Sequence, residues 1–237
     1  MFINQFYNQS PATVSFTRQQ ASDFAKQIAD DFNPLHDIDA KRFCVPGDLL
    51  FAVTLAKAGL AKQMRFNFSG MVTDGIELSL PSQLAAETAV TDANGKQYLT
   101  IETDGEMTQS QALIEALVRA YVGFSGHTFP HILCDLMAKN DVMINPARPM
   151  IMYESMSIEM LDLSVSEVRL ELASSTLTID GKRGNAVLAF NLYNGETLIG
   201  TGEKHMVLSG LRPYCADTID QISQNYLTMK ANYHQAA

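Results

Sequence analysis

Between Phe16 and Ile28 the apolar residues Phe16, Ala21, Phe24, Ala25 and Ile28 fall near one face of a helix, with Thr17 placed to cap its first turn. The polar segment Phe32–His36 ends that helix, because Pro34 biases Asn33 away from helical geometry. A second helix is predicted from Pro46-Gly47-Asp48 to about Gly59, and its run LLFAVTLAKAGL is apolar on most sides, as in a buried helix. From Met64 the period changes to two. MRFNFSGMV, GIELSLPSQ, LAAETAVTD and KQYLTIETDG read as strands, with a hairpin at Ala93-Asn94-Gly95. Ala112–Gly126 carries both signals: Glu115 and Arg119 stand four apart as on a helix, while Val118–Phe124 alternates like a strand. We read it as a strand.

The second half repeats this order. His127–Asn140 is helix-like, followed by strands in MIMYESMSIE, EVRLELASSTLTI, AVLAFNLY and TLIGTGEKHMVLSG, with hairpins at Gly181–Asn185 and Asn194-Gly195. One buried helix followed by an antiparallel meander is the order of a hot-dog fold, and its recurrence predicts an α+β protein of two tandem hot-dog modules. Each sheet is expected to wrap around a long central helix, Gly47–Gly59 in one module and about Phe129–Lys139 in the other. The modules are placed at 1–125 and 126–237, joined edge to edge so that no strand edge is left open at the seam. A terminal helix should bury Ile219, Ile222, Tyr226 and Met229, packing on the body of the protein without taking part in chemistry.

Composition narrows the function. The 237 residues are 46% hydrophobic, enough to bury real cores, so disorder is not expected. A net charge of −9, from 26 acidic and 17 basic side chains, disfavours a nucleic-acid partner. Lys41, Arg42, Lys57, Lys62 and Arg65 face only Asp48 within their stretch, a local excess that suits either an anionic ligand such as a phosphorylated cofactor or simply a solvated face. Cys44, Cys134 and Cys215 are widely spaced and odd in number, so neither a disulfide framework nor a zinc site is expected, and a reducing cytoplasm fits best. No segment has the apolar length of a membrane span, and the N-terminus lacks the features of a signal peptide.

The chemistry-bearing segment is Asp30-Asp31-Phe32-Asn33-Pro34-Leu35-His36. Across a Pro-bearing turn, a carboxylate and an imidazole five residues apart can converge on one small volume. There they can hold a water, one group drawing off its proton while the other delivers a proton elsewhere. The same spacing also suits a plain turn in which His36 bonds the backbone. Asp30, Asp31, Asp37 and Asp39 beside His36 are read as solvated carboxylates, and no metal is assigned.

ADDFNPLHDIDA (Ala29–Ala40) resembles the hydratase motif of the MaoC-like, R-specific enoyl-CoA hydratases, commonly Ser-Gly-Asp-x-Asn-Pro-hydrophobic-His-x-Asp; Asp31, Asn33, Pro34, His36 and Asp39 match it. The resemblance covers the first third of the chain in detail and beyond it only the order of elements. It implies that Asp31 and His36 activate water for addition to a trans-2-enoyl thioester while Asn33 and Pro34 shape the turn. It further implies that the amide of Gly47, at a helix start, polarises the thioester carbonyl, a role suited to unpaired N–H groups in a favourable dipole. Lys41, Arg42 and Asp48 are candidate substrate contacts. The substrate carrier is coenzyme A or an acyl carrier protein, with no further cofactor. The chain is expected as a monomer that is itself a pseudo-dimer, or as a homodimer.

Two departures carry weight. Asp30 stands where the motif has Gly, and Asp48 follows Gly47 where an uncharged residue is usual; both add negative charge, although Asp48 also suits a helix cap. They keep two other readings open. One is a non-catalytic protein that binds acyl thioesters or fatty acids. The other is a hot-dog thioesterase with Asp48 as base or nucleophile. The second module has no matching motif, so at most one such site per chain is expected.

Overall fold

A computed structural model describes residues 1–10 and 12–236. In chain order the elements are β1 Asn8–Gln9, β2 Thr13–Ser15, α1 Arg18–Asp23, α2 Gly47–Ala58, β3 Leu60–Phe68, β4 Leu78–Ser79, β5 Glu87–Thr91, β6 Gln97–Thr108 and α3 Gln111–Gly126. They continue with α4 Leu133–Lys139, β7 Val142–Met143, β8 Ile151–Met160, β9 Arg169–Asp180, β10 Arg183–Asn194, β11 Thr197–Ser209, β12 Arg212–Pro213 and α5 Ala216–Ala236. Ten strands form one antiparallel sheet in the order β1-β2-β4-β5-β6-β3-β8-β11-β10-β9, and β7 pairs with β12 apart from it. The order β2-β4-β5-β6-β3 around α2, matched by β9-β10-β11-β8 in the second half, is a tandem hot-dog fold.

The halves meet at β3 and β8, each the first long strand after its half's helices. They pair antiparallel from Gln63↔Glu159 to Asn67↔Ser155, so the sheet is continuous as expected. α2 is buried from Leu49 to Leu55 on every side, which explains a sequence with no polar face. Phe51 shows why: its ring meets Phe66 of β3 at 5.2 Å and Tyr121 of α3 at 4.9 Å, so the helix lies between sheet and helix.

α3 corrects the strand reading of Ala112–Gly126. Leu113, Ile114, Leu117, Val118, Tyr121, Val122 and Ser125 are buried at helical spacing, and Ser110 caps the first turn by accepting from the Leu113 amide at 3.4 Å. The apparent alternation over Val118–Phe124 came from a stripe two residues wide. α3, and not Phe129–Lys139, is therefore the long helix of the second half. The region after it is broken, because Pro130 holds Phe129 at φ −113° and ψ 135° and only the short α4 follows. The module bounds 1–125 and 126–237 stay a proposal; α3, which touches both α2 and β9, lies almost wholly in the first of them although it serves as the second half's long helix. No helix of the described residues is long and apolar enough to cross a membrane.

Candidate active site

The motif follows α1, which begins at Thr17 with a capping box completed by Gln20 and widens into a looser turn over Phe24–Ile28. Asp30 then takes φ 55°, the left-handed region in which a Cβ is strained, which accounts for Gly at this place in the resembling motif. The Asp30 side chain turns toward α5, pairing with Lys230 and with His234 Nε2 at 3.2 Å, and lies 3.9 Å from His127 Nε2. Its charge is thus met by basic groups instead of being added to that of Asp31.

Asn33 shapes the turn as expected, its Oδ1 accepting from the Leu35 amide at 3.1 Å while Pro34 opens a single tight turn to His36. Asp31 Oδ1 accepts the Asn33 amide at 2.9 Å. His36 Nδ1 lies 2.7 Å from the Cys44 carbonyl oxygen. A carbonyl can only accept, so Nδ1 carries the proton and, in the neutral ring, Nε2 presents a lone pair. That Nε2 faces Asp31 Oδ2 at 3.7 Å. The gap is too long for a direct hydrogen bond and of the length that one water, at roughly 2.8 Å from each atom, would bridge. Both side chains reach solvent, His36 at 12% and Asp31 at 25% exposure.

Gly47 opens α2 behind Pro46 with no side-chain cap. The Pro46 carbonyl accepts from Leu49 and Leu50, and among the described residues the amides of Gly47 and Asp48 meet no acceptor. They are the free donors of a helix start. A Cβ on Gly47 would stand 2.8 Å from Cδ1 of Tyr153, so the ring's close approach requires glycine here.

Asp48 neither caps α2 nor faces solvent. It points into the core, where Oδ2 accepts from the Ser125 hydroxyl at 2.5 Å and Oδ1 has no partner among the described residues. The Ser125 oxygen in turn accepts from Lys204 Nζ, which is buried on β11 and lies 4.2 Å from the centre of the Tyr153 ring. Tyr153 and Tyr121 join hydroxyl to hydroxyl. Burial raises the pKa of the Asp48 carboxyl, opposed by Lys204 and Ser125; the charge of Asp31 adds to the rise and His36 opposes it. Burial also pushes both tyrosines well above their ordinary value, helped by the Asp48 charge. α2, α3, β8 and β11 are thereby tied together by one polar cluster beside the Asp31–His36 pair.

Lys41 and Arg42 are exposed and make no ion pair among the described residues. They precede α2, whereas Lys57 sits in its last turn, roughly 15 Å along at the helical rise, and Lys62 lies beyond it on β3. Arg65 stands on the exposed face of β3, bonded to Asn67 at 3.2 Å. The basic surplus seen in sequence is therefore spread out. Cys44 behaves as a small apolar residue, its thiol pushed up to about 11 by burial.

Ser125, Lys204, Tyr121 and Tyr153 escaped the sequence reading, and Tyr226 was read there only as a packing residue of the terminal helix. Lys204 left a signal, since it is in phase with the inward Met206 and Leu208 of β11, where a charge is out of place. Tyr226 belongs to α5, whose buried residues include Ile219 and Tyr226, while Met229 is exposed, against expectation.

The sequence model of the family described as "Protein of unknown function (DUF3581)" matches residues 1–217. No curated protein matches the chain. Solved structures similar to it include a conserved protein of unknown function with hot dog fold from Alicyclobacillus acidocaldarius, at 9% identity and TM-score 0.48, covering 90% of this chain and 99% of that one. Another is an acyl-CoA thioesterase II TesB2 from Mycobacterium marinum, at 8% identity and TM-score 0.46, covering 91% and 99%. A third is a MaoC-like dehydratase, at 11% identity and TM-score 0.43, covering 86% and 97%.

Proposed function

We propose that this chain, which belongs to the family described as "Protein of unknown function (DUF3581)", is a hydratase or dehydratase of acyl thioesters carried on coenzyme A or an acyl carrier protein. The observation that carries this reading is the orientation of His36, whose Nδ1 is fixed on the Cys44 carbonyl so that Nε2 faces Asp31 Oδ2 at 3.7 Å. A water beside that pair gives one proton to the dyad as its oxygen bonds to C3 of the enoyl thioester. The electron pair of the double bond moves to the thioester oxygen, where the Gly47 amide stabilises it. C2 then takes a proton back from the dyad, and the sum is addition of one water. Dehydration is the reverse. Asp48 is not the base in this scheme, because its Oδ2 is held by Ser125 within the core.

The test is hydration of crotonyl-CoA, followed as loss of enoyl absorbance, with free thiol measured alongside. The protein is expected to hydrate the substrate without releasing thiol. Asp31→Asn and His36→Ala should each lower kcat by roughly a hundredfold or more with binding little changed. Thiol release without hydration would make it a thioesterase, and acyl-CoA binding with neither activity would make it a binding protein.

A further inference from the structure

We infer that Tyr226, supplied by the C-terminal helix α5, is a positioning residue that decides which oxygen of Asp31 faces the reaction. The inference rests on the hydratase reading of Asp31 and His36. Tyr226 is only 5% exposed although α5 as a whole is largely solvated. Its hydroxyl oxygen accepts the Phe32 amide at 3.0 Å, and its proton is aimed at Asp31 Oδ1 at 3.4 Å. Oδ1 also accepts the Asn33 amide, so two donors meet this oxygen and Oδ2 is left for His36. Burial and then the Asp31 charge raise the Tyr226 phenol above its ordinary value, so the hydroxyl stays a donor.

The helix is pinned where this contact needs it. Phe32, next to Asp31, packs edge-on against the rings of Tyr226 at 6.2 Å, Tyr233 at 5.4 Å and His234 at 5.8 Å. Phe129 also packs edge-on against Tyr226 at 5.3 Å. Lys230 and His234 hold Asp30, one residue before Asp31. α5 lies outside the strand-and-helix plan shared by the two halves, yet it grips three consecutive residues of the motif.

Tyr226→Phe keeps the ring and its packing and removes only the hydroxyl. In crotonyl-CoA hydration it should lower kcat about tenfold, the worth of a modest hydrogen bond to a charged group, with KM within about twofold of wild type. The loss should vanish in an Asp31→Asn background, because a residue acting through Asp31 has nothing left to position. Wild-type kcat in Tyr226→Phe, or the same tenfold loss in the Asp31→Asn background, would overturn the inference. Thermal melts of the same four proteins separate it from the hydratase reading. A wild type inactive on crotonyl-CoA defeats that reading, while strictly additive melting shifts for the two substitutions defeat the Tyr226–Asp31 contact itself.

Discussion

Consider Asp48→Leu. In the wild type, Asp48, Ser125 and Lys204 are 7%, 6% and 5% exposed and linked in a row, so the carboxylate and the ammonium offset each other through one hydroxyl. Leucine fills much of the space but leaves Lys204 buried with three N–H donors, one hydroxyl and the face of Tyr153. Breaking a buried pair in this way costs about 3–5 kcal/mol, because an uncompensated charge remains. In a chain of this length each kcal/mol moves Tm by about 2–4 °C, so the melt should fall by roughly 6–20 °C. Removing both partners, as Asp48→Leu with Lys204→Met, should restore stability to about the wild-type value or slightly above. The assay is unfolding by urea and heat, followed by circular dichroism. A single variant within about 1 kcal/mol of wild type, or a double variant no better than the single one, would refute the reasoning. The pH dependence has a definite sign. With the Asp48 pKa raised in the folded state by burial, its contribution to stability is full below the ordinary carboxylate range and is lost as pH rises through the folded value. The advantage of wild type over Asp48→Asn should therefore shrink as pH increases, and Lys204→Met, which removes the largest opposing influence, should move that loss to higher pH.

Two further outcomes follow from the backbone of the motif. A Cβ at Gly126 would overlap the backbone carbonyl of Ala29, which has no freedom to move aside, so Gly126→Ala should cost more than about 3 kcal/mol and displace Asp31; a urea midpoint equal to wild type would contradict this. Asp30→Gly should be about as stable as wild type, losing the Lys230 contact but relieving the left-handed strain, whereas Asp30→Ala keeps the strain and should fall about 1–2 kcal/mol below the Gly variant; equal midpoints for the two would show that φ is not the constraint.

Legibility in the sequence depended on how local each feature was. The capped helix at Thr17, the buried α2, the hairpins at Gly95, Gly181 and Gly195 and the turn made by Asn33 and Pro34 all follow from residues near one another in the chain. The join of β3 to β8 was readable because an unpaired edge is costly. α3 was misread because Val118 and Val122, four apart, satisfy two periods at once, and burial on α2 decides between them. The chemistry of Asp48 was illegible for a different reason. An acid at the second position of a helix has a local explanation, and nothing near it in sequence announces Lys204, 156 positions on, as its distant partner. Tyr226 is likewise 195 residues from Asp31. What the sequence presents is the proposed pair, Asp31 and His36; the groups packed around it come from the other half and the terminal helix.

The β3–β8 seam has a consequence for how the protein responds to dilution. Where two separate chains share such a junction, mass action governs it, and thinning the solution pulls it apart. Here both strands belong to one covalent chain, so the junction's closure does not depend on finding a partner. The Tyr226 contact with Asp31, which comes from beyond the seam, should therefore not be lost through opening of this junction at nanomolar protein, where a split version of the same architecture would come apart.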